Sequence, residues 1–95
     1  MNLDKVTIAG IEYKIEFHDD AGMGGHIGLA DFNRQVIKIN SMHTAATQRI
    51  AIAHEIIHIV SDAWGLKLNE EQVKIGTHAL ISFMRDNPDF LEAIK

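Results

Sequence analysis

The segment IAIAHEIIHIVSDAWG, residues 50–65, sets two histidines and a glutamate into an apolar run. A polar group buried without a partner costs roughly 1–3 kcal/mol, so such a segment must offer its polar side chains something. Residues four apart on a helix project the same way, which predicts that His54 and His58 converge on one face. Two imidazoles one turn apart can hold a single zinc ion at about 2.0–2.1 Å each. Glu55 follows the first of them, so its carboxylate is expected beside the open face of the ion. From there it can take a proton from water as that water attacks a carbonyl carbon. With six histidines and six glutamates in 95 residues, a shuffled chain gives H-E-x-x-H in roughly two per cent of trials, so the motif counts only on a helix.

The surrounding pattern supplies one. Thr44 is a candidate N-cap and Gly65 a candidate left-handed stop, which predicts a helix over residues 45–64. Ile50, Ile52, Ile56, Ile57, Ile59 and Val60 cover nearly the whole circumference, so this helix is expected to be central and packed on several sides. A second helix opens after Asn69, with Gln72 three residues on to complete a capping box. Val73, Gly76, Thr77, Leu80 and Met84 then form one stripe at helical spacing, expected to pack on the central helix. Pro88 ends that helix, and with Asn87 it starts a short last turn through DFLEAI.

Strands come first along the chain. In VTIAGIEYKIEF, Ile11, Tyr13, Ile15 and Phe17 alternate with Glu12, Lys14 and Glu16, the period of a half-buried strand. Ala9 and Gly10 can turn a short lead-in strand into it. HDDAGMGGHIG has no apolar period and matches neither the Walker pattern nor GxGxxG, so it reads as a flexible connection. IGLADFNRQVIKIN reads as a hairpin of strands 27–31 and 36–40, with FNRQ as the turn and Asn33 in a position tolerant of positive φ. Strands followed by helices predict an α+β fold: a small antiparallel N-terminal sheet of three or four strands on the HExxH helix and a second core helix. A length of 95 residues predicts one domain, 1–95.

Composition narrows the partners. The chain is 46% hydrophobic and 23% charged, the ordinary globular range, with a net charge of -4 and scattered lysines and arginines. No basic stripe is present for nucleic acid. No cysteine is available, so a metal must be held by nitrogen and oxygen. No run approaches the roughly 18 apolar residues of a membrane span, and the N-terminus lacks an apolar signal core. The expected location is the cytoplasm, and the expected partner a protein or peptide substrate.

A catalytic zinc site normally has three protein ligands and one open position. The metzincin extension needs Gly and His where this chain has Ser61 and Trp64. Asp62 lies about 12 Å of helical rise from His54, too far to share an ion comfortably. A glutamate from the following helix remains, and NEEQV offers Glu70 and Glu71. Glu70 falls on the stripe of Val73 and Thr77 and is favoured, with Glu71 the alternative. Its place in the first helical turn also favours the ionised form that a ligand needs. His26, Tyr13 and His78 are the donors on offer to stabilise an oxyanion, none with a spacing argument. A substrate backbone could add to the sheet edge at IGLAD. Two other classes fit the same residues: a zinc-stabilised binding module without hydrolysis, and a helical interaction domain without metal.

The succession IKIN, HEIIH, NEEQV and FMRDNPDF resembles the small phage-borne members of the ImmA/IrrE-type zinc metallopeptidase family, a likeness that covers about residues 27–90. HEIIH is the specific part of the likeness. The resemblance implies a minimal gluzincin-like fold with a small sheet beside two core helices. It also implies His54, His58 and a glutamate at the start of the next helix as zinc ligands, with Glu55 as general base. Many relatives read Glu-x-x-Ala-Asn at the third ligand; here Glu70-Glu71-Gln72-Val73-Lys74 keeps the glutamate and carries Lys74 in place of the Asn.

Overall fold

A computed structural model describes residues 3–95 of the chain. Ala9 and Gly10 adopt φ of 50° and 81°, the two left-handed residues that a tight hairpin turn needs. They fold β1 (Lys5–Ile8) onto β2 (Ile11–His18) in antiparallel register, Val6 opposite Tyr13. The alternation of β2 buries Tyr13 and Ile15, while Ile11 and Phe17 stay exposed at the two ends of the strand.

The glycine-rich segment is an ordered crossover, not a free connection. The Asp19 carboxylate accepts the Gly22 N–H at 3.1 Å and starts α1 (Asp20–Met23), which Gly24 ends in the left-handed conformation. Met23 is fully buried, and the Asn40 side-chain amide donates to Asp20 Oδ1 at 2.6 Å. One apolar anchor and one polar tie hold the turn, too few residues to produce a periodicity.

This crossover also changes the sheet. β3 (Gly28–Asp31) and β4 (Val36–Asn40) form the expected hairpin, but the order is β1-β2-β4-β3. β4 pairs parallel to β2, with Ile15 opposite Ile37, so the sheet is mixed where an antiparallel one was expected. The cause is burial. Ile37, Ile39 and Asn40 are the most enclosed strand residues, and the central position covers both edges of their strand, leaving the shorter β3 outside. In the connecting turn the Arg34 N–H donates to Asp31 Oδ1 at 3.0 Å, and the positive φ falls on Gln35 (57°) instead of Asn33.

Local signals set the helix ends. The Thr44 hydroxyl accepts the Thr47 N–H at 3.2 Å to open α2 (Ala45–Trp64), and Gly65, at φ 68°, closes it. Asn69 and Gln72 form the reciprocal capping box of α3 (Glu70–Asp86), and α4 (Phe90–Ala93) follows Pro88. α2 lays Ala51 and Ile59 on Ile8, Tyr13, Ile15, Ile37 and Ile39 of the sheet, with Glu55 in the same buried row. Its other faces are only partly covered, so the isoleucines around its circumference overstate its enclosure. α3 packs on α2 through Val73 and Thr77, whereas Leu80 and Met84, on the same stripe, remain exposed. No helix among the described residues is long and apolar enough to cross a membrane.

Candidate metal centre

The i, i+4 relation on α2 stacks the rings of His54 and His58 edge to face, with centroids 4.9 Å apart. The loop of residues 65–69 reverses the chain, and the capping box fixes the first turn of α3. Glu70 therefore reaches back to both rings. His54 Nε2–H donates to Glu70 Oε1 at 2.6 Å, and His58 Nε2 lies 2.9 Å from Glu70 Oε2. Glu71, one residue on, is exposed and does not line the cleft around these groups.

Ligand atoms of His54, His58 and Glu70 lie within 4.8 Å of one another. Donors around one tetrahedral ion with bonds of about 2 Å stand ~3.3 Å apart, so small side-chain rotations would admit an ion. Two imidazole nitrogens and a carboxylate, with no thiolate, suit a first-row divalent ion better than an all-oxygen site would. The two histidine side chains are 20% and 28% exposed and the Glu70 side chain 72%, so the carboxylate side of the group opens to solvent.

No family model, curated protein or solved structure matches this chain. Its chemistry must be read from its own residues. Hydration loss raises the Glu70 pKa, but the His54 hydrogen bond and the charges of both imidazoles outweigh it and hold the carboxyl below its ordinary value. Glu55 behaves in the opposite sense. Burial raises its pKa; positive charge on His54, His58 and His26 acts against the rise without cancelling it, and Glu70 adds to it. Among the described residues no hydrogen bond to the Glu55 carboxylate is formed; the residue is only 8% exposed, and its oxygens keep a solvent-facing margin in the cleft.

These groups share a cleft of about 1020 Å³ between α2, the start of α3 and the β3 edge. His26 and His78 line it; Tyr13 does not, being part of the core beneath the sheet. Lys74 lines it one turn beyond Glu70, and Asp62 lies exposed at its rim.

Sequence reasoning missed Gly28. A Cβ there would meet Glu55 Cγ and Oε2 at 3.2 Å each, with Ala51 Cβ at 3.5 Å behind them. The signal was present, since a glycine inside a strand marks a close approach and Gly28 falls in the strand expected over residues 27–31, but nothing local names Glu55 as the side chain that approaches it. Gly28→Ala is expected to force the Glu55 side chain aside and to cost about 1–3 kcal/mol, as overpacking does. Urea unfolding should show a lower midpoint at unchanged slope.

Proposed function

We propose that the chain is a zinc-dependent peptidase that hydrolyses peptide bonds of a specific protein substrate, such as a phage or host regulator. One juxtaposition carries the reading. His54, His58 and Glu70 converge at hydrogen-bond distances, while the neighbouring Glu55 stays buried at the wall of the same cleft with no hydrogen bond to it among the described residues. Two imidazoles and a carboxylate, with a position left open, are the donor set of catalytic rather than structural zinc. When bound, zinc would supply Lewis acidity, polarising a carbonyl and acidifying water in the site. The likeness of HEIIH and NEEQV to the ImmA/IrrE-type metallopeptidases supports the same assignment.

Glu55 is the general base in this reading. It takes the proton of the attacking water and returns it to the leaving amine. A carboxylate raised by burial is a better base than an exposed one, and Gly28 leaves it the room it occupies. His26 and His78 are the two side chains able to donate to a developing oxyanion from the cleft wall.

β3 supports a way of holding the substrate. It is an edge strand, and Ile27 C=O accepts the Asn40 N–H at 2.8 Å. Antiparallel alternation then turns the backbone of Leu29 toward β4 and leaves the N–H and C=O of Gly28 and Ala30 on the free edge. An extended peptide can pair there and lie along the cleft.

The purified protein is expected to take up one zinc per chain. Loaded with zinc, it should create new N-termini in a proteome-derived peptide library, read by mass spectrometry, and a chelator should abolish them. Stoichiometric zinc with no new terminus would sink the peptidase reading and leave a zinc-stabilised binding module.

A further inference from the structure

The apolar stripe of α3 does not stop where its cover stops. Val73 and Thr77 are buried against α2, and the same row continues through Leu80 and Met84 into solvent. Phe83 flanks it and packs edge to face on Phe90 of α4, with centroids 4.9 Å apart. That contact joins α4 to the α3 stripe at Phe90, and Leu91 and Ile94 of the same short helix are exposed as well. Every residue from Ser82 to Lys95 is exposed.

A four-residue helix with no side-chain cap, as α4 is, does not hold itself in water. A surface on its exposed side would complete it. From their fractional exposures, Leu80, Phe83, Met84, Phe90, Leu91 and Ile94 present roughly 600 Å² of accessible surface, backbone included, near the upper end of the patches a monomer leaves uncovered. A stable protein interface takes about 800 Å² from each partner, so this patch and its polar margin reach the required size.

The charges around the patch indicate what fits it. Arg85 lies beside Asp86 and near Asp89 in the chain, while Lys95 is already paired with Glu92 at 2.8 Å. This mixed, nearly balanced margin gives no preference for a strongly basic or acidic partner or for an anionic lipid surface. It is self-complementary, because a two-fold axis can set Arg85 of one copy against Asp86 or Asp89 of another. Leu80 is also about 15 Å of helical rise from Glu70, so a partner here leaves the zinc-ligand cluster uncovered. We propose that the α3–α4 face is the surface through which two copies of this chain pack about a two-fold axis.

Sedimentation equilibrium of the full chain tests this. Wild type is expected to move from 10.6 kDa toward twice that mass as its concentration rises into the micromolar range. Leu91→Glu combined with Ile94→Glu, at exposed positions, should weaken association at least tenfold, leaving circular dichroism and zinc uptake unchanged. Trp64→Glu, exposed but off the patch, should associate as wild type does. A chain that stays monomeric at 200 µM overturns the proposal, whether or not it then adsorbs to phosphatidylcholine–phosphatidylglycerol vesicles. So does a dimer that survives the double substitution or is lost with Trp64→Glu.

Discussion

Glu55→Gln is expected to leave zinc affinity unchanged and to lower kcat/KM by about 10²–10⁴, the usual contribution of a positioned acid–base group. Glutamine keeps the shape that fits against Gly28 and removes the ability to accept a proton. The loss cannot be assigned to unfolding, and linkage gives the sign. A carboxyl whose folded pKa lies above its unfolded value binds more protons when folded. Its contribution to stability therefore declines as pH rises through the window above the ordinary carboxylate value. At pH 7 the buried Glu55 carboxylate costs the metal-free protein stability, and glutamine removes that cost. The variant should unfold at the same or higher denaturant concentration than wild type at pH 7, and any advantage should shrink below pH 4. Denaturant curves at the two pH values beside peptide turnover check both halves. A variant with full turnover would remove Glu55 from the mechanism.

The parts of this picture that sequence made legible are those encoded locally. Thr44, Gly65, Asn69 and Gln72 mark helix ends through hydrogen bonds to residues within four positions, and the structure has them there. The i, i+4 spacing of His54 and His58 needs nothing but a helix to bring the rings together. Long-range choices were less visible. Parallel pairing of β2 with β4 depends on which strand takes the centre of the sheet, a competition among all four strands that no single alternation reveals. The order in residues 19–27 rests on Met23 and the Asn40–Asp20 bond, one of which joins residues twenty apart. The stripe on α3 has the phase that its spacing predicts, but periodicity shows which residues face one way and not whether a partner covers them. Leu80 and Met84 therefore look like core in the sequence and are surface in the folded chain. Gly28 was hidden for the same reason, since its neighbour Glu55 comes from a different element.

The assignment of the third ligand rests on adjacent glutamates that sequence alone separates only by helical phase. Glu70→Gln is expected to weaken zinc binding by more than ~100-fold, beyond the 10–100-fold typical of groups that only support a ligand. Glu71→Gln, altering an exposed acid outside the cleft, should change it by less than about twofold. Competition against a chromophoric chelator at fixed pH and ionic strength measures both. Each glutamine keeps helix-forming length in the first turn of α3, where Asn69 and Gln72 supply the cap independently. The contacts of Glu70 with His54 and His58 are solvent-facing at the carboxylate, and exposed pairs of this kind contribute little to stability. The Glu70 variant should thus fold as wild type does while binding zinc poorly, separating a ligand from a structural contact. Equal losses at both positions would point to the summed negative charge of the two carboxylates in place of direct ligation. A loss confined to Glu71 would require α3 to turn by about 100° from the phase at which Val73 and Thr77 are buried, and the three-ligand site would then have to be rebuilt around that rotation.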